Sequence, residues 1–504
     1  MEESISFLTL PEDIKLLIRN ELVHRIKYSE LKRLRLVSRA FNELFLPVVL
    51  DTINLFCARN NYLANDYQLK ELVHEADNLR AVKTLKINST YWLTSSRFLS
   101  FALMRRRNQW AAGILMNIGI ALYSCFILLP LFPKASAQVV TTKCAQLKTR
   151  LRLITSRKLY LPSVRRVQWT IQPDESSLML AHMARLLTGL PHLTELELTL
   201  TDVDPLTSSM FRQLTQLTNL RKLTIEIVQC GETSLLTSSY RLGTKHNSFR
   251  DLIASNPNLV HLVINLQNYS QDSEVAIDLA TLFSSVAADR PLPLEHFGIS
   301  WQFTEGWDPE KIMPHFCNLK SIGLCFPNHS KDLSFHNFWE FLARMNVYPP
   351  HVSVNHIDQK SLDYLRKHPN LVGLTIPDVC TMSNEIMQIL SQHAKTLQYF
   401  SMDFVSLPWS PENKRAFLQC TALRQIDQLR SMPYHWISTP DVKPFLGVVA
   451  QLDCPVNLMI EQSDEFSWFL HTCYASSDPL LRDLKQRIFL LRRDQRITPF
   501  MRRL

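Results

Sequence analysis

Glycine is scarce in this chain, with 10 in 504 residues. Loops that bring backbone amides up against a phosphate or a dinucleotide depend on glycine, so nucleotide-driven catalysis has little material here. Neither GxGxxG nor GxxxxGK followed by Ser or Thr occurs. The 10 cysteines run from Cys57 to Cys473 without a CxxC pair. That spacing argues against a zinc ribbon or a disulfide-dense secreted scaffold, and it predicts reduced thiols in a cytosolic or nuclear protein. HExxH and GxSxG are also missing. His351 and His356 stand near Asp358 in sequence, but nothing in the sequence brings them together in space. No catalytic, metal or cofactor site is therefore expected, and no cofactor.

Charge is present but not concentrated. Lys and Arg exceed Asp and Glu by 55 to 46, a net +9 spread along the chain. This suits an acidic protein partner; nucleic acid would call for clustered charge interleaved with aromatics. With 46% hydrophobic residues and no long Gly/Ser, Gln/Asn or acidic tract, most of the chain is expected to fold.

The front of the chain reads as two helices. In "LPEDIKLLIRNEL", Pro11 suits a first helical position, and Glu12 and Asp13 suit the positive end of the helix dipole. Ile14, Leu17, Ile18 and Leu22 then recur at helical spacing. A second helix is predicted across "SELKRLRLVSRAFNEL", capped by Ser29, with Leu31, Leu34, Val37, Phe41 and Leu44 as its stripe. Two short helices bury little surface, so part of the apolar face should meet another domain or protein.

Leu10-Pro11, the acidic residue after them, Ile14, Ile18, Leu22 and "LKRLRLVSRAF" resemble the F-box through both helices, about 40 residues in all. The connection from Leu22 to Leu31 is a few residues longer than the usual form. The resemblance implies docking on the Skp1 adaptor of a cullin-RING ubiquitin ligase, and hence association with a cullin. Carried over by position, Leu10, Pro11, Ile14, Ile18, Leu31, Leu34 and Val37 are the adaptor-binding candidates, some of which will serve the internal core instead.

Behind this module one phrase returns: "LPHLTELELTL", "LTNLRKLTIEI", "NPNLVHLVINL", "FCNLKSIGLCF", "HPNLVGLTIPD" and "AKTLQYFSMDF", with "LPLEHFGISW" as a looser copy. The lead residues Leu193, Leu220, Leu259, Leu294, Leu319, Leu371 and Leu397 are separated by 27, 39, 35, 25, 52 and 26 positions. The longest gap contains "PPHVSVNHID", where Val352 and Val354 fit a missing strand. Looser copies begin at residues 79 and 161, and a later one at Leu423. L-x-x-L-x-L is a strand with alternate residues inward, and the segments that follow have helical spacing. A strand plus a helix near 26 residues is the leucine-rich repeat unit. A generic α/β domain is the alternative. Outward strand positions such as Glu195, Glu197, Lys222, Thr224, Glu226, His261, Ser300 and Thr375 are candidates for the exposed face; the substrate-binding residues among them are not distinguished.

Trp110 to Phe132 is 23 residues without a charge, preceded by Arg105, Arg106 and Arg107. By length and flank it qualifies as a membrane span. A span here would put the F-box-like module and the repeats on opposite sides of a membrane, so a buried helix or insertion is preferred, with a gene-model artefact as a third reading. The basic, partly amphipathic C-terminus is expected to be a helix closing the array, in preference to a lipid- or partner-binding tail.

The expected organisation is an α/β repeat fold: a small all-α F-box at 4–50, linker helices and a first repeat at 51–108, and the apolar segment at 109–135. An irregular leucine-rich-repeat horseshoe follows at 160–430, then a cap with a basic tail at 431–504. The function expected from it is non-catalytic: a ligase substrate receptor in cytoplasm or nucleus, with an unidentified protein substrate and no nucleic acid. The rivals are a membrane-anchored interaction scaffold using 110–132 and an unrecognised α/β hydrolase.

Overall fold

The computed structural model describes residues 10–25, 28–34, 37–56, 81–87, 161–171, 177–201, 208–228, 247–267, 276–277, 279–300, 302–303, 309–324, 334–354, 357–376, 383–402, 410–428, 448, 451–452, 456–460 and 488–492. The chain divides into two compact units, Met1–Ser234 with Asp251–Asn256, and Leu235–Arg250 with Pro257–Leu504.

The first unit opens with three helices, α1 (Glu12–Arg25), α2 (Tyr28–Leu34) and α3 (Arg39–Leu50). The single helix expected from Ser29 to Leu44 is broken. Val37 N–H closes a turn on Leu34 O at 3.0 Å, and the Ser38 hydroxyl accepts from Phe41 N–H at 3.3 Å as the N-cap of α3. A serine oxygen at that position satisfies a backbone donor the helix cannot, which favours a new start over continuation. Ser29, expected as a cap, lies inside α2. The module's core is Leu31, Leu44, Phe45 and Val49, with Leu22, Leu34, Phe41 and Val48 packed against it.

Five parallel strands follow: β1 (Thr52–Phe56), β2 (Thr84–Ile87), β3 (Arg166–Ile171), β4 (Glu195–Thr201) and β5 (Lys222–Val228). Helices α4 (Ser177–Thr188) and α5 (Ser208–Leu214) separate the later ones, and the unit boundary in sequence falls within α6 (Asn247–Ala254). In "ELELTLT" the burial alternates along β4, with Leu196, Leu198 and Leu200 inside and Glu195, Glu197 and Thr199 half-buried, as a period of two requires. Strands that have a lead leucine start two residues after it, as Glu195 does after Leu193 and Lys222 after Leu220.

The second unit repeats the plan. Its strands are β6 (His261–Gln267), β8 (His296–Ser300), β10 (Ser321–Leu324), β11 (His351–Val354), β12 (Gly373–Ile376), β13 (Tyr399–Met402), β14 (Gln425–Gln428), β15 (Val456–Ile460) and β16 (Ile488–Arg492), all parallel and paired in that order. β7 (Ala276–Ile277) and β9 (Gln302–Phe303) form a separate two-stranded ladder. Helices α7 (Leu279–Phe283), α8 (Pro309–Phe316), α9 (Ser334–Arg344), α10 (Gln359–Lys367), α11 (Ser383–Gln392) and α12 (Pro411–Leu418) fall between strands. Local signals set their starts: Asp358 and Ser361 form a reciprocal capping box on α10, and Ser410 caps α12 with Pro411 at its first turn.

The inward residues of these strands meet the helices through aromatic contacts, such as Phe297 on Phe316 at 4.9 Å between ring centroids. Trp339 on Tyr364, also at 4.9 Å, joins α9 to α10 in the same layer. β8 and β10 to β14 also each hang on the strand before through the residue preceding that earlier strand. Gly373 N–H donates to Pro350 O and Tyr399 N–H to Val372 O, both at 3.0 Å. The chain is thus an α/β repeat fold.

Parallel strands are not confined to 160–430: β1 and β2 fall within 51–108, where a first repeat was expected, and β15 and β16 fall within 431–504. "IFLLR" near the C-terminus supplies β16 where a closing helix was expected; Ile488 and Phe489, β-favouring residues, pair with Val456 and Asn457. The missing strand at Val352 and Val354 is β11. The apolar segment 110–132 lies outside the described residues, and among the described residues no helix is long and apolar enough to cross a membrane.

Candidate functional site

Pro11 immediately precedes the first helix, its carbonyl accepting from Lys15 N–H at 3.0 Å. Pro11 is exposed and Leu10 half-buried. Along α1, Leu22 turns to the module's core while Ile14 stays 37% and Leu17 59% exposed, with Ile18 half-buried between them. Leu16, which the helical pattern did not single out, is 37% exposed. Val37, expected in the second helix's stripe, sits instead in the turn between α2 and α3 and is 69% exposed. Leu31 is the opposite case: it is 2% exposed in the middle of the module's core, and Leu34 packs against that core. Of the seven candidates, Leu31 and Leu34 thus serve internal packing, while Pro11, Ile14 and Val37 present surface.

On the strands, the outward rows of the first unit are polar. Arg166, Glu195 and Lys222 share one register row, Gln168, Glu197 and Thr224 the next, and Thr170, Thr199 and Glu226 a third. Glu197 accepts from Arg166 Nη2 at 2.9 Å and from Gln168 Nε2 at 2.7 Å, and Glu226 accepts from the Thr199 hydroxyl at 3.1 Å. Burial holds Lys222 below its usual range, against the opposing pull of Glu195. Glu195, Glu197, Lys222, Thr224 and Glu226 are all half-buried, so they line a surface.

The outward row of the second unit reads His261, His296, Ser321, His351, Gly373, Tyr399 and Gln425. The next row reads Val263, Gly298, Gly323, Ser353, Thr375, Ser401 and Asp427. Thr375, expected to face solvent, is 2% exposed, and His261 is 6% exposed; Ser300 closes β8 in register with Asn265. Small residues fill this second row, so their larger neighbours close over them. His261 lies 5.5 Å from His296, ring to ring, and His296 Nδ1 is 2.7 Å from the Ser321 hydroxyl.

The rings of His351 and Tyr399 stand 5.8 Å apart although β12 runs between their strands. Gly373 makes this close approach work, because a Cβ there would stand 2.2 Å from His351 Nδ1. Beside Tyr399, the Asp427 carboxylate accepts from Gln425 Nε2 at 3.0 and 3.2 Å and from the Ser401 hydroxyl at 3.4 Å. No local spacing marks this grouping, since its members come from four strands that span 76 residues of sequence, His351 to Asp427. The in-register lead leucines were the signal that could have aligned them.

Asp358, noted beside His351 in sequence, caps α10 by accepting from Ser361 N–H at 2.7 Å, and His356 lies outside the described residues. Among the described residues no group of three or more His, Cys, Asp or Glu side chains is placed to hold a metal ion. No protein-family model matches the chain, and no curated protein matches it.

Proposed function

We propose that this chain is the substrate-recognition subunit of a Skp1-cullin-F-box ubiquitin ligase. The N-terminal helices dock on the Skp1-like adaptor, and the strand-helix units, read as degenerate leucine-rich repeats, hold a target protein. One observation carries the reading: of five exposed large hydrophobic side chains among the described residues, four, Ile14, Leu16, Leu17 and Val37, lie on the helical module. Apolar side chains gathered on a small module and left in water mark a protein-binding surface. Their placement beside Leu10-Pro11 matches the motif that prompted the F-box resemblance.

The receptor performs no chemistry. It raises the effective concentration of its target beside a ubiquitin-loaded enzyme, turning a bimolecular encounter into a nearly intramolecular one.

The test is co-purification of the full chain with a Skp1 adaptor, comparing wild type, Leu10→Ala/Pro11→Ala and Ile14→Asp/Leu17→Asp. The wild type is retained and both double variants lose at least about 10-fold in retention, as truncating or charging a contact centre does. Because Ile14 and Leu17 are exposed, their replacement leaves the module folded. Retention of both variants at the wild-type level, or no retention of the wild type, overturns the reading.

A further inference from the structure

The second unit carries a grouping of side chains that the docking module does not use. His351 lies across Gly373 to reach Tyr399, so two ring faces stand side by side on the outward strand surface, both half-buried. Next to them Gln425 donates from Nε2 to both oxygens of Asp427, which fixes the orientation of its amide. With the nitrogen on the carboxylate, the amide oxygen faces away from it, and it accepts no hydrogen bond from the described residues. Asp427 is 5% exposed and takes a further hydrogen bond from Ser401. Its negative charge stands directly behind an outward acceptor.

Among the described residues, the outward positions of β8 and β10 to β14 include no Lys or Arg, and Asp427 is their one carboxylate. Two π faces, a carbonyl acceptor and a carboxylate behind it form a negative, partly desolvated patch. This chemistry is complementary to a cation that carries N–H donors, through cation–π attraction and a charge-assisted hydrogen bond. Phosphate or carboxylate ligands would face the same patch with like charge.

We infer that the His351–Tyr399–Gln425 patch, backed by Asp427, receives a lysine or arginine side chain of the bound protein. The inference rests on the receptor reading and gives its substrate a chemical class, a segment presenting a basic residue. Tyr399 and His351 supply the faces, Gln425 accepts the N–H, and Asp427 is a positioning residue that orients Gln425 and sets the sign of the field.

The probes are three nonapeptides of alternating Gly and Ser with arginine, norleucine or glutamate at the centre, observed by saturation-transfer NMR against the full chain. The arginine peptide shows saturation at its side-chain methylenes, and titration gives its affinity. The norleucine and glutamate peptides bind at least about 10-fold more weakly. Asp427→Asn, which keeps the shape, and Tyr399→Ala each weaken the arginine peptide about 5- to 10-fold. Glu197→Gln, on the strand face of the first unit, leaves it unchanged. Equal binding of all three peptides, no binding of the arginine peptide, or an unchanged affinity in Asp427→Asn overturns the assignment. The assay contains no adaptor: a negative result here with adaptor capture intact overturns the patch alone, whereas failed capture overturns only the docking assignment.

Discussion

In the first unit, Arg166, Glu195 and Lys222 meet across three strands, and the row beside them holds Gln168, Glu197 and Thr224, all half-buried. In the second unit the matching rows hold Ser321, His351, Gly373, Tyr399 and Gln425, and then Gly323, Ser353, Thr375, Ser401 and Asp427, the latter row wholly buried. Both units have the same parallel ladder and the same inward leucines and other apolar residues. Long charged side chains in the first bond to their cross-strand neighbours and form a mutually neutralising layer. Small side chains in the second leave room for rings to cross a strand, which the first unit's ladder does not allow. Repeat geometry therefore fixes where side chains stand, while side-chain length decides whether a row is a self-satisfied surface or a place for shaped groups.

The sharpest way to break the contrast is to fill the gap at Gly373. A methyl group there would stand 2.2 Å from His351 Nδ1, so the imidazole must leave its place over β12. Gly373→Ala is expected to cost about 1–3 kcal/mol in urea unfolding, the range for overpacking a well-filled site. His351→Ala in the same chain restores most of that loss, and a double-mutant cycle measures the coupling. If Gly373→Ala is neutral on its own, the ring does not depend on the glycine and the contrast fails.

Acid separates the units by a second route. Burial pushes the imidazoles of His315 and His368 down to about 4 and lowers that of His393, all in the second unit. The geometry agrees with neutral rings: His368 Nε2 donates to Pro349 O at 2.9 Å while its Nδ1 accepts from Asn370 N–H at 3.3 Å. His315 Nδ1 accepts from Leu292 N–H at 2.9 Å. A proton on either acceptor would face another N–H. Because the folded values lie below the unfolded value, this stabilisation is complete above pH ~6.5 and is lost as pH falls toward about 4. For His368 the loss is of order 1–2 kcal/mol by pH 5. Urea midpoints from pH 7.5 to 4.5, compared with His368→Gln, are expected to show a shallower pH dependence in the variant.

How much of this could be read in advance follows the range of the signals. Leu193, Leu220, Leu371 and Leu397 announced their strands two residues ahead because the alternating pattern is local and repeats. The break at Ser38 was missed because stripe spacing continues through it, while the deciding force is a single hydroxyl capping a new helix. The amphipathic neighbourhood of Ile488 to Arg492 points to a helix, and pairing with Val456 to Ile460, 32 residues earlier, makes it a strand. The exposed apolar face of the first helix was legible at Ile14 and Leu17, whereas the exposure of Val37 and the burial of Leu31 depended on how three helices pack. His351, Tyr399 and Asp427 meet only through register across separate strands, which no local spacing encodes.

The smallest expected effect tests the other side of the contrast, the charged ladder of the first unit. Glu197 accepts from Arg166 at 2.9 Å and Gln168 at 2.7 Å, and Arg166 also lies 3.9 Å from Glu195. These groups are a third or more exposed, so water and salt screen their attraction. Glu197→Gln keeps an oxygen that can accept one hydrogen bond and removes one charge. Its expected cost is about 0.5 kcal/mol or less, read as a small shift in urea midpoint that shrinks further in 1 M salt. A loss above about 1.5 kcal/mol that persists in high salt would mean the ladder is desolvated and holds the first unit together, rather than covering a fold made by its inward leucines. A small, salt-sensitive loss beside the larger loss at Gly373 would place the rigid, shape-dependent part of the strand surface in the second unit.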